Sequence, residues 1–281
     1  MIPNYITDDV ITRALREDVH YLDLSCEYLF APGARSRAYL LAKAPGVLCG
    51  IEVFCRVFRL LDESCTFDLK CGDGARLAKG DVLLEFDGPT TVLLQGERTA
   101  LNLLQHLCGI ATATSEVVQA LEGTGATVCD TRKTLPGLRA LQKYAVACGG
   151  GRNHRYNLSD GVMLKDNHID ACGSIEAAVA RVRAKVGHMV KIEVETRDLA
   201  EVRQALAAGA DVIMLDNMTL DQMREAVAWV RANASAHVWL EASGDITAQN
   251  ARRVAKTGVD ILSLGALTHS VRAMNISMKL R

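Results

Sequence analysis

The stretch MVKIEVETRDLAEVRQALAAGADVIMLDN, residues 189–217, decides the fold class because it places a helical pattern between two short apolar runs. KIEVET and ADVIMLDN are rich in Val and Ile, whereas DLAEVRQALAAG repeats apolar side chains at helical spacing. A strand, a helix and a second strand in this order predict a βαβ unit with parallel strands. Near-continuous apolar strands also predict that both faces of the sheet are covered.

The same alternation continues on both sides of this unit. Further apolar runs are GATVCDTRK, DGVMLKDNH, AHVWLEASG and VDILSLGA, and further helical patterns are SIEAAVARVRAKV, TLDQMREAVAWVRAN and TAQNARRVAKTG. Polar, chemically capable residues follow successive runs, which is typical of the active-site rim of an α/β barrel. Six runs are too few for eight strands, so the sequence predicts an incomplete, TIM-like α/β barrel. A doubly wound open sheet is the alternative.

The N-terminal part of the chain has a different sequence pattern. From about residue 25 to 95, alternating runs predict several strands: SRAYLLAKAPGVLCG, CTFDLKCGDGARLAKGDVLLEFDG and TTVLLQG, with a helix at IEVFCRVFRLLD. The pattern of GERTALNLLQHLCGIATATSEVVQALEG then predicts a long helix from about 96 to 122. We therefore expect an N-terminal domain over residues 1–110 and a barrel over residues 111–270. The tail, about residues 270–281, can pack back on the first domain.

Composition excludes several classes of protein. The 281 residues carry a net charge of −1 and are 49% hydrophobic, which is typical of a globular protein without a global field for nucleic acid or a membrane. The apolar runs are too short to span a bilayer, and the N-terminus lacks the pattern of a secretory signal. Nine scattered cysteines without a C-x-x-C pair argue against a zinc site or a disulfide framework and predict a reducing cytoplasm. A catalytic thiol at Cys129 or Cys148 is disfavoured.

A basic segment begins with DTRKTLPGLR, residues 130–139, and continues through GGGRNHRYNL and MLKDNHI. Residues 130–168 contain seven cations and only three acids. The cations are Arg132, Lys133, Arg139, Lys143, Arg152, Arg155 and Lys165. Because guanidinium groups bind carboxylates and phosphates bidentately, this local excess predicts a ligand with several negative charges.

Acidic and small residues end the later strands. Glu195, Asp216 and Glu241 lie at or near the ends of successive apolar runs. Carboxylates on neighbouring strands suit hydrated Mg²⁺, which takes one or two protein carboxylates and substrate phosphates. The loops EASGD and SLGALTHS, with Ser243 and Gly265, suit phosphate binding through backbone N–H groups. The rim therefore predicts an anion pocket, a divalent metal and a phosphate site together.

Structural roles remain open for individual residues. Arg139 and Lys143 also fit a solvated helix face, and residues 149–151 also fit a plain flexible loop. Glu195 and Asp216 could be structural partners of the nearby cations, and His106 is expected to be a packed side chain. The coincidence of these groups at strand ends favours a functional site.

The ordered segments quoted above, above all DTRKT, GGGRNHR and KDNHI followed by KIEVET, DVIMLDNM and LEASG, resemble the quinolinate phosphoribosyltransferase family, the carboxylating nicotinate-nucleotide pyrophosphorylases. The resemblance covers nearly the whole chain, strongly from about 96 to 270. It implies synthesis of nicotinate mononucleotide, pyrophosphate and CO₂ from quinolinate and phosphoribosyl pyrophosphate, with Mg²⁺ as cofactor. It also implies an N-terminal α/β sandwich, a C-terminal incomplete α/β barrel, and a homodimer or a hexamer of dimers.

The resemblance also implies roles for individual residues. The groups that bind quinolinate would be Arg98, Arg132, Lys133, His154, Arg155 and Lys165, with Arg98 supplied across the dimer interface. Lys133, Lys165, Glu195 and Asp216 would be catalytic. Glu195 and Asp216 would also handle the ribose and Mg²⁺, directly or through pyrophosphate and water, while Ser243, Gly244 and Gly265 would lie in phosphate-binding loops.

One departure and several alternatives accompany the resemblance. The family reads Gly or Asn after EASG, whereas this chain has Asp245, whose charge would repel a phosphate unless it turns outward. A fold-sharing paralogue associated with molybdate transport and a non-catalytic anion-binding barrel are alternatives. A different phosphate-substrate barrel enzyme is another, although a Schiff-base aldolase would need a lysine among apolar neighbours.

Overall fold

Helices and strands alternate along the chain, and the computed structural model describes them for residues 2–281. The helices are α1 (Asn4–Asp18), α2 (Leu24–Leu29), α3 (Ile51–Leu61), α4 (Thr90–Ala120), α5 (Arg139–Cys148), α6 (Asp166–Cys172), α7 (Ile175–Arg183), α8 (Leu199–Ala207), α9 (Leu220–Asn233), α10 (Ala248–Ala255) and α11 (Ala266–His269). The strands are β1 (Arg35–Ala42), β2 (Gly46–Val47), β3 (Thr66–Leu69), β4 (Arg76–Leu77), β5 (Val82–Pro89), β6 (Thr127–Cys129), β7 (Val162–Leu164), β8 (Ile192–Thr196), β9 (Val212–Asp216), β10 (Trp239–Ser243), β11 (Ile261–Ser263) and β12 (Ile276–Leu280).

The chain divides into two compact units. The first contains Met1–Ser115, Thr134–Gly150 and Leu267–Arg281, and the second contains Glu116–Lys133 and Gly151–Ala266. The predicted barrel domain included residues 134–150, whereas their contacts lie within the first unit. This segment contains α5, which has the same helical pattern as the barrel helices, so no local signal marks its departure from the barrel.

A six-stranded parallel sheet forms the core of the second unit, in the order β6-β11-β10-β9-β8-β7. Each predicted apolar run forms one of these strands, and α7, α8, α9 and α10 lie between them as predicted. The successive residues Ile192, Glu193 and Val194 of β8 are buried, and so are the successive residues Ile213, Met214 and Leu215 of β9. Burial at successive positions follows from helical cover on one face and packed side chains on the other.

The strand order distinguishes the barrel from the doubly wound alternative. From β7 to β11, each strand along the chain lies beside the previous one, always in the same direction, and β6 follows beside β11. A doubly wound sheet would reverse direction at a switch point. Among residues 2–281, no ladder joins β6 to β7, so these strands are the edges of the sheet. The predicted incomplete α/β barrel is therefore confirmed.

The first unit is built on an antiparallel sheet in the order β12-β1-β5-β3. Phe54 and Phe58 of α3 pack on Phe86 of β5, with ring centroids 5.6 and 5.2 Å apart, and Phe67 of β3 stacks on Phe86 at 5.8 Å. Aromatic pairs in this range stabilise a core beyond the area that they bury. The C-terminal strand β12 pairs with β1, from Ala38 opposite Leu280 to Ala42 opposite Ile276.

The long helix α4 corrects one strand prediction. Residues 90–96, TTVLLQG, are the first two turns of α4 and not a strand. Their β-branched residues favoured a strand, but Leu93 continues the buried face that Ala100, Leu104 and Leu107 form at helical spacing. Neither α4 nor another helix within residues 2–281 is long and apolar enough to cross a membrane.

Candidate active site

Polar side chains on three neighbouring strands share one face of the parallel sheet. Met214 of β9 lies opposite both Glu195 of β8 and Glu241 of β10, and Asp216 lies opposite Ser243. Because side chains alternate between the two faces of a strand, residues in register point the same way. Asp216 and Ser243 are the last residues of their strands, and Glu195 is the last but one. The predicted acids and the predicted phosphate-loop serine therefore meet at the carboxyl end of one sheet.

Lys165 and Glu195 form an ion pair at this end. Lys165 Nζ donates to Glu195 Oε2 at 2.9 Å, and the lysine side chain is 47% exposed against 15% for the glutamate. Lys165 follows β7 directly and precedes the first turn of α6, so two adjacent strands position the pair. An ion pair this exposed contributes little to folding. Its partners are therefore available to a ligand.

The ends of β9 and β10 are joined by Asn217. Its backbone N–H donates to the Ser243 carbonyl at 3.0 Å, and its Nδ2 donates to Asp216 Oδ2 at 2.7 Å. Asn217 has a φ of 53°, and Gly244 has a φ of 102°. A Cβ atom on Gly244 would lie 2.1 Å from Asn217 Oδ1, so only glycine fits beside this amide.

The departure at Asp245 has a structural explanation. Its φ is 45°, in the left-handed region that Gly, Asn and Asp tolerate better than other residues. The residue is exposed, and its backbone carbonyl accepts from Asn250 Nδ2 at 3.0 Å. The left-handed backbone therefore accounts for the residue type at this position, and the exposed carboxylate can be solvated.

Two guanidinium groups of the basic segment lie within electrostatic reach of one another. Burial lowers the pKa of Arg155 first, and repulsion by Arg132 lowers it further. Arg155 Nη1 donates to the Gly161 carbonyl at 2.8 Å. The negative charge of Glu193 partly offsets the repulsion. Two neighbouring guanidinium groups that repel one another favour the binding of an anion.

Asp130 fixes part of the basic segment through buried hydrogen bonds to Asn153 and His154. Its side chain is fully buried at the end of β6, where Oδ2 accepts from Asn153 Nδ2 at 2.6 Å and Oδ1 accepts from the His154 N–H at 2.9 Å. Arg152 also pairs with β6, through an isolated parallel bridge to Cys129. These bonds fix residues 152–154 as a strand-like extension of the sheet.

His154 lies deeper, between two buried glutamates. Its Nε2 is 3.0 Å from Glu193 Oε2 and 3.6 Å from Glu241 Oε2, and the two carboxyl side chains are 6% and 2% exposed. Its Nδ1 accepts the N–H of Arg155 at 2.7 Å, so Nε2 carries the ring proton and donates. Burial, and then the charge of Glu193, raise the pKa of Glu241 to about 7.

The His154 cluster does not suit a metal, although its three ligand atoms lie within 4.8 Å of one another. A neutral imidazole that binds a metal through Nε2 must carry its proton on Nδ1, and here Nδ1 is an acceptor. Carboxylate oxygens at the strand ends, from Glu195 and Asp216, are the donors that Mg²⁺ takes. The donor set at the rim therefore fits the predicted cofactor.

Comparisons with known families identify this architecture. The model of the quinolinate phosphoribosyl transferase C-terminal domain matches residues 110–279, and the model of the N-terminal domain matches residues 23–108. The chain belongs to the quinolinate phosphoribosyl transferase family. The predicted family and its enzyme class, a phosphoribosyl transferase, are confirmed.

Relatives within the family match over almost their full length. A probable carboxylating nicotinate-nucleotide pyrophosphorylase of Bacillus subtilis strain 168 is 48% identical over 93% of this chain and 89% of its own. The carboxylating nicotinate-nucleotide pyrophosphorylase of Mycobacterium leprae is 44% identical, over 97% and 96%. The crystal structure of NadC from Streptococcus pyogenes is 45% identical, with a TM-score of 0.95 over 100% of this chain and 98% of that one.

The remaining predicted residues of the family site are distributed over both units. In the second unit, Lys133 is exposed, with its N–H donating to Thr131 Oγ1 at 3.0 Å, and Gly265 lies between β11 and α11. In the first unit, Arg98 is exposed on α4.

Two residues of the first unit test the structural alternatives. Lys143 is 3% exposed, so the prediction that it lies on a solvated helix face was wrong. His106 is half-buried beside Gln142 at 2.8 Å, and burial lowers its pKa, as expected for a packed side chain.

The sequence analysis did not predict the residues that hold the strand-end side chains and loops in place. Asp130, Glu193 and Asn217 had no predicted role, and Glu241 was assigned to the opening although it is buried. Glu193 could have been found, because residues two apart in a strand share a face and KIEVET repeats glutamate at that spacing. The bonds of Asp130 to residues more than twenty positions away had no sequence signal.

Proposed function

We propose that this chain transfers a phosphoribosyl group from phosphoribosyl pyrophosphate to quinolinate, giving nicotinate mononucleotide, pyrophosphate and CO₂. The observation that carries the proposal is the Lys165–Glu195 ion pair of 2.9 Å, on the sheet face that also bears Asp216 and Ser243, together with the mutually repelling guanidinium groups of Arg132 and Arg155. Quinolinate is a pyridine with two adjacent carboxylates. Its two negative charges relieve the repulsion and accept bidentate hydrogen bonds.

The quinolinate site in this proposal is built by six basic residues. They are Arg98, Arg132, Lys133, His154, Arg155 and Lys165. Both ring nitrogens of His154 are engaged, by Arg155 N–H and Glu193, so its contribution is to hold Arg155 in place. Arg98 comes from the partner subunit of a homodimer, which is the functional unit in the cytoplasm and can assemble further into a hexamer of dimers.

Phosphoribosyl pyrophosphate occupies the strand ends. Ser243, Gly244 and Gly265 present backbone N–H groups to the phosphates, and the close fit of Gly244 against Asn217 keeps that loop in one conformation. Glu195 and Asp216 would hold Mg²⁺, directly or through water and pyrophosphate. Mg²⁺, when bound, neutralises the leaving pyrophosphate.

The chain's own residues act mainly by positioning and electrostatics. The basic groups align the pyridine nitrogen with ribose C1, where the C–N bond forms as the C–O bond to pyrophosphate breaks. Glu195 and Asp216 stabilise the positive charge that develops on the ribose, and Lys133 and Lys165 compensate charge on the anions. The positive pyridinium nitrogen then stabilises the electron pair that remains on ring carbon C2 as the 2-carboxylate departs as CO₂, and C2 uses this pair to take a proton from solvent.

A turnover experiment tests this function. The purified protein is mixed with phosphoribosyl pyrophosphate, Mg²⁺ and quinolinate, and nicotinate mononucleotide is followed by absorbance and chromatography. We expect one CO₂ per nucleotide, and no product with nicotinate, because nicotinate lacks the 2-carboxylate. Binding of quinolinate without turnover would instead support the anion-binding barrel, and turnover of nicotinate would contradict the proposed specificity.

A further inference from the structure

Two cysteines distant in sequence meet within the first unit. Cys49 lies between β2 and α3, and Cys148 is the last residue of α5. Their Sγ atoms and a carboxylate oxygen of Asp73 all lie within 4.8 Å of one another. Cys49 is fully buried, whereas Cys148 is half-buried. Cys148 is therefore the more exposed residue of the pair.

Asp73 already has a complete set of partners. Its Oδ1 accepts the N–H groups of Gly50 at 2.9 Å and Ile51 at 3.0 Å, which begin α3. Its Oδ2 accepts from the Gly50 N–H at 2.9 Å and the Tyr144 hydroxyl at 2.8 Å. A carboxylate offers about four acceptor positions, and these bonds use them. Asp73 thus acts as a helix cap and anchors α5, which leaves the two sulfur atoms without a third metal ligand.

The two thiols differ in reactivity. The Cys148 thiol donates to the Leu48 carbonyl at 3.8 Å, and its Sγ lies within 4.8 Å of Cys49 Sγ. The neighbouring Cys49 thiol lowers the pKa of Cys148, whereas Cys148 and burial raise the pKa of Cys49. The thiolate is the nucleophile in cysteine chemistry, so the more exposed cysteine is also the more reactive one. Cys49 Sγ lies within 4.8 Å of Cys148 Sγ, so it is the sulfur that can attack Cys148 after Cys148 is oxidised.

We propose that Cys49 and Cys148 are a dithiol modification site, which hydrogen peroxide or a related hydroperoxide converts into a reversible disulfide. The Cys148 thiolate attacks one peroxide oxygen, the O–O bond breaks, and the released hydroxide takes a proton to leave as water. Cys49 sulfur then attacks the resulting sulfenic acid, the S–O bond breaks, and the hydroxyl leaves with the Cys49 proton as a second water. The two sulfurs lose two electrons in total, and the peroxide gains them.

The geometry needs only a small movement. The sulfurs must close from within 4.8 Å to a bond of about 2.05 Å, which requires rotation of the two cysteine side chains. Cys108 is the competing thiol, but its Sγ accepts the Cys49 N–H at 3.3 Å and donates to the Cys49 carbonyl at 3.4 Å. The Cys108 thiol is therefore already engaged as both donor and acceptor with the Cys49 backbone.

Peptide mapping tests the proposal. The full chain is treated with hydrogen peroxide, blocked with an alkylating agent, digested without reduction and analysed by mass spectrometry. We expect loss of two of the nine free thiols, one cross-linked peptide joining residues 49 and 148, and full recovery with dithiothreitol. In Cys49→Ser, a 1,3-diketone reagent traps sulfenic acid on Cys148.

Cys172→Ser is the matched control, because Cys172 is also half-buried but belongs to no thiol cluster within residues 2–281. This variant should form the disulfide at the rate of the unsubstituted protein, while Cys148→Ser and Cys148→Ala should form none. Circular dichroism and thermal unfolding check that each variant is folded. Cross-linking to Cys108, or equal oxidation of Cys148 and Cys172 without a cross-link, would overturn the proposal. So would zinc that co-purifies and protects both thiols until a chelator removes it.

Discussion

Glu193 and Glu195 lie two residues apart on the same face of β8, yet their surroundings differ. Glu193 is 6% exposed and faces His154 at 3.0 Å, below the rim. Glu195 is 15% exposed and pairs at 2.9 Å with Lys165, a side chain that is 47% exposed. Among residues 2–281, Glu193 Oε1 and Glu241 Oε1 are buried without a hydrogen-bond partner. We call His154, Glu193 and Glu241 the inner layer, and the strand-end pair Lys165 and Glu195 the rim. The carboxyl groups of the inner layer are buried with incomplete hydrogen bonding, whereas the rim pair is partly exposed to solvent.

This difference separates two kinds of function in one sheet. A group at the rim can leave its protein partner for a ligand, because solvent compensates the partner that remains. A group in the inner layer has no such compensation, so its loss leaves a buried charge or polar group unpaired. Substitutions at the rim should lower activity with little effect on folding, and substitutions in the inner layer should alter stability.

The largest expected effect is at the rim. Glu195→Gln removes the charge that, in the proposed reaction, stabilises the positive charge on the ribose, and we expect kcat to fall roughly 10²- to 10³-fold, as for loss of one preorganised electrostatic group. The midpoint of thermal unfolding should change little. Steady-state kinetics and calorimetry on the same preparation test both parts. A large loss of stability would instead place Glu195 among the structural residues.

The inner layer should show a pH dependence of stability. Glu241 has a pKa raised from an ordinary 4.5 to about 7, so the folded state favours its protonated form. The resulting stabilisation is complete below pH 4.5 and is lost as pH rises through 7, by on the order of 3 kcal/mol. Denaturant unfolding of the unsubstituted protein and of Glu241→Gln from pH 4.5 to 8 should show the fall only in the former. Parallel profiles would contradict this assignment.

Gly244 lies in the loop that follows β10, beside Asn217. In Gly244→Ala, the Cβ would clash with Asn217 Oδ1 and the left-handed backbone would be strained, so we expect a loss of about 2 kcal/mol of stability and a higher KM for phosphoribosyl pyrophosphate. Gly209 is the matched control, because its φ is 79° and a Cβ added there would meet no atom within 4 Å. Gly209→Ala should lose about 1 kcal/mol and leave KM unchanged. Equal effects would show that the clash with Asn217 is unimportant.

The smallest effect is expected at Asp245. Asn adopts the same left-handed backbone, and the side chain is exposed, so Asp245→Asn should change stability by less than about 0.5 kcal/mol. Removal of one negative charge beside the proposed phosphate loop should lower KM for phosphoribosyl pyrophosphate slightly, and more so at low salt. A large change in KM at high salt would show that Asp245 contacts the substrate directly.

Prediction from sequence succeeded where local patterns determine the structure. The parallel strands follow from apolar runs such as KIEVET, and the placement of Glu195, Asp216 and Ser243 at one edge follows from strand polarity. The helical start of α4 was missed because Thr90, Thr91 and Val92 favour a strand locally, while burial of Leu93 against the core favours a helix. The role of Asp130 and the approach of Cys49 to Cys148 depend on tertiary contacts, which no local spacing encodes.

The most direct test of the basic segment's role is the binding of quinolinate to Arg132→Ala, measured by calorimetry beside the unsubstituted protein. Charged hydrogen bonds of this kind contribute about 1.5–3 kcal/mol, so we expect the affinity to fall roughly 10- to 150-fold. Because Arg132 is exposed, the midpoint of thermal unfolding should remain nearly unchanged. An unchanged affinity for quinolinate would contradict the claim that this basic segment forms the dicarboxylate site.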